Sequence, residues 1–226
     1  MIFKQVFDQK SSTYTYLIAS AEGREALIID PVLENIDDYI KLLNELNLKL
    51  VKVIDTHIHA DHVTGAGKLR DKTKCVTIMG EHTPTDAVEV KVKDEEIIKL
   101  DQLKIKAIYT PGHTSDSFSF LMDNYLFSGD TLLINGTGRT DFQNGSSTDA
   151  YNSIFNRLLT LPDETLLYPA HDYKGEKVST IGKEKKFNPR LQVKNVDEYI
   201  DIMNNLNLKK PAAIDFNVAS NLRLGT

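Results

Sequence analysis

The amino-acid sequence predicts a mixed α/β protein, in which sheets with many antiparallel strand pairs carry helices on their outer faces. One observation supports this fold class, and a second bears on the number of domains. Short β-branched and aromatic runs alternate along the chain with stretches whose apolar residues recur at helical spacing. No stretch rich in proline, glycine or serine divides the 226 residues, so we expect one domain over residues 1–226.

The first predicted elements are two strands, a helix and a third strand. Residues 14–18 and 26–30 are short β-type runs on either side of a turn, which favours an antiparallel pair. Apolar residues then recur at helical spacing over residues 36–46 and predict a helix. Residues 50–55 again form a strand-like run, and this run ends directly before a cluster of polar residues that begins at Thr56.

The rest of the chain continues the alternation of strands and helices. The predicted elements are a short helix over 63–69, strands over 76–79, 96–100 and 103–109, a hairpin of 118–122 and 125–128, a helix over 149–159, a strand over 165–168 and an amphipathic helix over 197–206. Because many of these strands are close neighbours in sequence, we expect the sheets to contain antiparallel pairs.

Composition narrows the possible function classes. The formal net charge is −5 and the lysines and arginines are interleaved with acids, so no basic patch indicates nucleic-acid binding. No apolar run approaches the ~20 residues needed to cross a membrane, and residues 1–7 are too polar for a signal peptide. The single cysteine, Cys75, lies in a strand-like run and is predicted to be a core residue. A cytoplasmic location is therefore expected.

The strongest chemical signal is a dense cluster of metal-binding residue types. Three histidines and an aspartate lie between residues 57 and 62, directly after a predicted strand: His57, His59, Asp61 and His62. Imidazole and carboxylate groups are the usual protein ligands of zinc and iron. Four such residues in so short a segment predict a metal site rather than isolated surface or core histidines.

Three more candidate ligands follow predicted strands elsewhere in the chain. His113 lies in a Thr-Pro-Gly-His-Thr segment, Asp130 in Phe-Ser-Gly-Asp-Thr, and His171 in Tyr-Pro-Ala-His-Asp. Loops at strand ends are common positions for functional residues, and a neighbouring glycine allows close approach of the backbone. His82 has no comparable setting and is predicted to be an ordinary loop residue.

In its order and spacing, this ligand series resembles that of the metallo-β-lactamase superfamily. The resemblance covers most of the chain. It implies an αββα sandwich, in which two mixed sheets pack face to face with helices outside and the metal site lies at one edge.

A narrower resemblance to the persulfide dioxygenases rests on four segments. These are residues 138–143, 167–175 and 188–191, and a tail that contains Met203, Asn205 to Leu208, Pro211 and Asp215-Phe216. It implies a non-haem iron enzyme that oxidises a persulfide, by default glutathione persulfide, with O₂ to sulfite and the free thiol. The iron centre would carry the chemistry without a separate catalytic residue.

The same resemblance assigns roles to individual residues. One Fe(II) per chain would be held by His57, His113 and Asp130, the two-histidine, one-carboxylate set of non-haem iron oxygenases. Four further residues would hydrogen-bond these ligands or iron-bound water: His59, Asp61, His62 and His171. Three would hold the peptide portion of the thiol: Arg139, Tyr173 and Arg190.

The main alternative is a zinc-dependent hydrolase, because the chain also resembles glyoxalase II. In that case His57, His59 and His113 would bind one Zn(II), while Asp61, His62 and His171 would bind a second, with Asp130 bridging the two ions. All seven residues are present, so the ligands alone do not separate one iron from two zincs. The segment 138–143 favours the dioxygenase, and Ile58 stands where glyoxalase II typically has a further histidine.

A third hypothesis is a metal-binding scaffold without catalytic activity, which the complete ligand series disfavours. The expected partners are a small-molecule thiol persulfide and O₂, with no nucleic acid and no membrane. No sulfur-transfer segment accompanies the predicted domain, so any sulfurtransferase partner is expected to be a separate chain. A homodimer is expected from the habits of the family.

Overall fold

Two six-stranded sheets form the frame of the structure, a computed structural model that describes residues 1–210 and 213–226. In the first sheet the strands lie side by side in chain order: β1 (Ile2–Asp8), β2 (Thr13–Ala19), β3 (Glu25–Ile29), β4 (Lys49–Ile54), β5 (Val76–Gly80) and β6 (Val90–Val92). The pairs β1–β2 and β2–β3 are antiparallel, whereas β3 to β6 run parallel. The sheet is therefore mixed.

The second sheet is also mixed. Its strands are β7 (Ile97–Leu100), β8 (Leu103–Tyr109), β9 (Phe118–Met122), β10 (Tyr125–Gly129), β13 (Leu166–Pro169) and β14 (Ser179–Thr180), and a small hairpin of β11 (Leu132–Leu133) and β12 (Gly136–Thr137) follows β10. The spatial order is β14-β13-β10-β9-β8-β7. Strand β13 pairs parallel with β10, so the chain crosses over between them, whereas β7 to β10 form an antiparallel meander.

Six helices within the described residues cover the outer faces of the sheets or close the chain. They are α1 (Ile36–Glu45), α2 (Ala66–Thr73), α3 (Ser147–Asn156), α4 (Ile181–Phe187), α5 (Val196–Asn204) and α6 (Ile214–Asn221). Side-chain caps begin three of them, since the side chains of Ser146, Thr180 and Asn195 each accept a hydrogen bond from a backbone N–H of the first turn. None of the helices in the described ranges is long and apolar enough to span a membrane.

Alternation along the strands explains how each sheet packs on both sides. In β2, Tyr16 and Ile18 belong to the core between the two sheets, together with Phe118 and Phe127 of the second sheet. The intervening Leu17 belongs instead to the layer beneath α1 and α2. Likewise, α3 and α5 pack over the outer face of the second sheet. The architecture is the predicted αββα sandwich.

Most predicted elements are confirmed, with shifts at their ends. The helix predicted over 63–69 is wrong at its start: α2 begins at Ala66, because Thr64 pairs with Val32 across the chain and Gly65 donates its N–H to the Pro31 carbonyl. The helix predicted over 149–159 ends at Asn156 and continues as a short 3₁₀ turn.

Some elements have no counterpart in the sequence prediction. Strands β1, β6 and β14 lie at sheet edges, and the last strand has two residues. Helices α4 and α6 are short and carry weak periodic signals. Cys75 is buried, as predicted. Pro211, part of the C-terminal motif, lies outside the described residues, and the assignment of one domain stays a prediction.

Candidate metal centre

The candidate ligands meet at one edge of the sandwich. Strands β8, β10 and β13 point in the same direction, so the residues that follow them, His113, Asp130 and His171, emerge at the same edge of the second sheet. The metal-ligand loop, defined as residues 55–64, leaves β4 of the first sheet. The backbone N–H of Phe118 donates to the Thr56 carbonyl at 2.9 Å and joins this loop to the second sheet.

His57, His113 and Asp130 form one compact donor group. One donor atom from each residue lies within 4.8 Å of the other two. His57 is almost fully buried, with 1% of its surface exposed, and its Nε2 has no hydrogen-bond partner among the described residues. A buried ring nitrogen without a partner is costly unless a ligand occupies the space in front of it.

Hydrogen bonds on the far side of each ring fix which nitrogen faces this group. Nδ1 of His113 lies 2.7 Å from the backbone carbonyl of Arg139, which can only accept, so Nδ1 carries the proton and Nε2 is left for a ligand. His57 Nδ1 lies 2.9 Å from Thr56 Oγ1, and this hydroxyl donates to Asp30 Oδ2 at 3.0 Å. Both imidazoles are therefore oriented before any metal binds.

Electrostatics keep His57 in its metal-binding form. Burial, together with the neighbouring His59 and His113, holds the pKa of His57 well below its ordinary value. The ring is consequently neutral near pH 7, and its Nε2 lone pair is free. Burial alone would raise the pKa of Asp130, but the adjacent His171 outweighs that effect and lowers it, so the third donor is an anion.

Gly138 is required for the second sheet to present its two ligands together. A Cβ atom at this position would lie 2.1 Å from the backbone oxygen of Asp130 and 2.9 Å from His113 Nδ1. Only the absence of a side chain lets the following segment cross so close to both ligands. That segment then supplies the Arg139 carbonyl that orients His113.

His171 lies between two carboxylates. Its Nδ1 is 2.6 Å from Asp130 Oδ1 and its Nε2 is 2.8 Å from Asp61 Oδ2. Burial lowers the pKa of His171, but the two carboxylates outweigh burial and raise it well above its ordinary value. Thr13 Oγ1 also donates to Asp61 Oδ2 at 3.0 Å. Both ring nitrogens of His171 are thus engaged by the protein itself.

A second donor group lies beside the first. His59, Asp61 and His62 each offer one atom within 4.8 Å of the others, and His59 Nδ1 and His62 Nε2 lack partners among the described residues. His59 Nε2 lies 3.1 Å from Asp30 Oδ1. Burial lowers the pKa of His59, yet the charge of Asp30 and its hydrogen bond outweigh this and raise it to about 9.

The donor set suits a transition metal. Two imidazoles and one carboxylate converge on one point, and they match the facial triad of non-haem iron centres. The unpartnered His57 Nε2 is the observation that tests the fit, because no group of the described chain satisfies it. The residues present therefore fit a single metal ion at this position.

A cavity of about 500 Å³ opens over the first donor group. His113, Asp130 and His171 line its floor, and the predicted thiol-binding residues Arg139, Tyr173 and Arg190 lie in its walls. The side chains of Arg139, Tyr173 and Arg190 differ in how many of their polar groups already have partners within the chain, and this difference bears on the roles predicted for them.

Arg139 is already paired within the chain. Its guanidinium contacts the Asp141 carboxylate at 2.6 and 2.7 Å, donates to the Lys209 carbonyl at 2.7 Å and lies 4.5 Å from the centroid of the Phe142 ring. Its predicted contact with the substrate stays a prediction, because most of its donors are committed to the cavity wall.

Arg190 and Tyr173 have fewer polar contacts with the described chain than Arg139 has. Arg190 is half-buried and donates to the Thr137 carbonyl, and no carboxylate pairs with it within residues 1–210 and 213–226. Burial lowers the pKa of its guanidinium, which nevertheless stays charged. Tyr173 is 73% exposed and stacks against the His171 ring, with centroids 6.0 Å apart. Its thiol-binding role, like that of Arg190, stays a prediction.

Several residues of the site were not identified from the sequence. Asp30 and Thr56 orient His57, Gln143 donates to the Ile58 carbonyl at 2.6 Å, and Asn221 contacts the metal-ligand loop from α6. Asp30 offered one signal, a carboxylate at the end of an otherwise apolar strand. Asn221 offered none, because its contacts span the length of the chain.

The chain is similar to known proteins over its whole length. The Metallo-beta-lactamase superfamily matches residues 9–87 and 81–171. The protein "Persulfide dioxygenase ETHE1, mitochondrial" of Homo sapiens is 41% identical over 228 residues, which covers 100% of this chain and 89% of the human protein. The crystal structure of ETHE1 from Myxococcus xanthus is 47% identical, with a TM-score of 0.97 and 100% of both chains covered.

A hydrolase relative matches less of the chain. Hydroxyacylglutathione hydrolase of Dictyostelium discoideum is 32% identical over 170 residues, which covers 71% of this chain and 62% of the hydrolase. Its lower identity and coverage weigh against the hydrolase hypothesis.

Proposed function

The chain belongs to the metallo-β-lactamase superfamily and, within it, to the persulfide dioxygenases, and on that premise we propose that it oxidises glutathione persulfide with O₂ at one Fe(II) per chain. The products are sulfite and glutathione. In the balanced reaction the outer sulfur of the persulfide gains three oxygen atoms, two from O₂ and one from water. O₂ is reduced, the sulfur–sulfur bond breaks, and glutathione leaves as the thiol.

The donor group of His57, His113 and Asp130 carries this proposal. Three protein ligands on one side of a metal leave the remaining positions free, and the cavity of about 500 Å³ lies over that side. Fe(II), when bound, supplies the redox chemistry that activates O₂. The chain holds the ligands in place: Arg139 orients His113 through its carbonyl, and Thr56 orients His57.

His171 joins the two donor groups. Its Nδ1 lies 2.6 Å from Asp130 Oδ1 and its Nε2 lies 2.8 Å from Asp61 Oδ2. In the proposed enzyme His171 holds Asp130 and Asp61 in position. The free nitrogens of His59 and His62 face the site, where they hydrogen-bond water or substrate.

Cationic side chains in the cavity walls can bind an anionic thiol. Glutathione carries two carboxylates, and Arg190, Lys174 and Lys209 all line the cavity. Arg190 is the favoured carboxylate partner because its charge is not neutralised by an ion pair in the described parts of the chain. Arg139 shapes the wall beside it, and Tyr173 covers the His171 side of the opening.

Three further assignments belong to this proposal. The protein acts in the cytoplasm, it forms a homodimer, and a separate sulfurtransferase supplies its persulfide. The small-molecule character of the substrate supports the last assignment, because such a thiol can diffuse between two proteins. Light scattering of the purified protein tests the dimer directly.

The metal assignment is tested by comparing two histidine variants. His113→Ala removes a proposed ligand, whereas His82→Ala changes an exposed histidine that packs against the Tyr109 ring and belongs to neither donor group. We expect His113→Ala to lose both bound iron and sulfite formation, and His82→Ala to keep both. Iron content is measured after dialysis, and an iron-loaded, active His113→Ala protein would remove His113 from the site.

A further inference from the structure

The metal-ligand loop has almost no regular secondary structure of its own. Apart from one bridge at Thr64, residues 55–64 form bends and irregular backbone, so their backbone polar groups must find partners elsewhere. At the start of the loop, Phe118 N–H holds the Thr56 carbonyl and Gln143 Nε2 holds the Ile58 carbonyl. The middle of the loop, where His59, Asp61 and His62 lie, needs other donors.

Helix α6 supplies these donors through two asparagines. Asn217 Nδ2 donates to the Ala60 carbonyl at 2.9 Å. Asn221 Nδ2 donates to the carbonyls of His59 at 2.8 Å and His62 at 2.9 Å. Because the two asparagines lie four residues apart, they share one face of the helix, and that face lies on the loop.

Asn221 both donates hydrogen bonds to the metal-ligand loop and accepts one from it. Its Oδ1 accepts the backbone N–H of Thr64 at 2.8 Å, while its amino group serves the two histidine carbonyls. Only the amino nitrogen can donate to carbonyls, so these contacts fix the orientation of the amide. Asn221 is 1% exposed, and water does not readily replace it.

The same C-terminal segment also touches the apolar side of the loop and the cavity. Leu224 is buried against Ile58, which lies between His57 and His59. Leu208 and Ile214, which precede the asparagines in the chain, line the cavity. One segment thus connects the cavity wall to the backbone that carries the metal-binding imidazoles.

We propose that Asn221 is a positioning residue for the metal centre: it holds the backbone of His59 and His62 and thereby sets the geometry of the whole metal-ligand loop, including His57. The proposal rests on the metal site proposed above, and it does not depend on which reaction the metal serves. A purely structural asparagine would contribute to folding but would leave the metal environment unchanged.

The test compares wild type with two leucine variants, all loaded with Co(II), whose absorption spectrum reports ligand geometry. Asn221→Leu removes the amide at similar volume. Asn204→Leu is the matched control, because Asn204 is an exposed residue of α5. We expect Asn221→Leu to shift the Co(II) bands and to release the ion to a chelator about tenfold faster, in the range typical of lost supporting contacts. Asn204→Leu is expected to match wild type.

The outcomes separate the proposal about Asn221 from the proposal about the metal site. If wild type and Asn221→Leu share one spectrum and one release rate, Asn221 is not a positioning residue. If wild type itself binds no Co(II), the proposed metal site is wrong. If Asn221→Leu does not fold, Asn221→Ala, which removes the same contacts without adding a branched side chain, carries the test: faster release than wild type is expected, and an unchanged rate overturns the proposal.

Discussion

Replacing Gly138 with alanine should damage the proposed metal centre although no ligand is itself replaced. The added Cβ would lie 2.1 Å from the backbone oxygen of Asp130 and 2.9 Å from His113 Nδ1. Ordinary van der Waals contact begins near 3.4 Å, so the segment and Asp130 must separate by roughly 1 Å or more. That displacement moves two of the three proposed ligands apart.

The expected loss is large because catalytic geometry tolerates little displacement. A shift of ~1 Å in a catalytic group can lower the rate about 100-fold, and we expect a loss of that order in kcat for sulfite formation. Bound iron after dialysis should fall with it. The measurement is sulfite production by iron-loaded protein, with iron content determined on the same sample.

Gly136 provides a matched control two residues away. A Cβ there would meet nothing closer than 3.9 Å, from Leu133 Cβ, so Gly136→Ala should retain iron and activity. If Gly138→Ala retained wild-type iron content and kcat, the close approach would be irrelevant to the centre and the reasoning would fail.

Three further predictions concern the cavity, the support of His57 and acid stability. Arg190→Ala should raise KM for glutathione persulfide more than it lowers kcat, whereas Arg24→Ala, outside the cavity lining, should change neither; an unchanged KM for Arg190→Ala excludes the proposed contact. Asp30→Asn should weaken iron affinity about 10- to 100-fold in a chelator competition. Asn tolerates the φ of 50° at this position, but it loses the charge and one of the two acceptor oxygens that contact Thr56 and His59; wild-type affinity would contradict this. Burial raises the pKa of Asp94, but the hydrogen bond and charge of Arg157 outweigh burial and lower that pKa below 3.8. Asp94→Asn should therefore reduce the free energy of unfolding at neutral pH, and the difference from wild type should vanish as acid protonates Asp94. A difference that does not change with pH would refute the pairing.

The candidate ligands could be identified from the sequence because each lies in a local pattern, and their roles stay predictions. His57, His113, Asp130 and His171 each lie within four residues of the end of a strand, and the structure brings all four to one edge. The long periodic helix α1 and the hairpin of β9 and β10 were predictable for a similar reason, since their signals are contained within a few consecutive residues.

The supporting contacts were not predictable, because they join residues that are far apart in the chain. Asn221 lies 162 residues from His59, and Gln143 lies 85 residues from Ile58. Arg139 shows a different limit: the resemblance assigned it to the peptide portion of the thiol, but its pairing with Asp141 becomes visible only when the chain folds. Edge strands such as β1 and β14 are fixed by pairing with neighbours and not by local propensity.

The central claim is that this centre oxidises a persulfide with O₂ and does not hydrolyse a thioester. The most direct measurement follows O₂ consumption and sulfite formation together, with protein purified anaerobically, loaded with Fe(II) or Zn(II), and given glutathione persulfide. The account predicts one O₂ consumed per sulfite formed by the iron protein and none by the zinc protein. Absence of O₂ uptake by the iron protein, with hydrolysis of a glutathione thioester by the zinc protein, would contradict it.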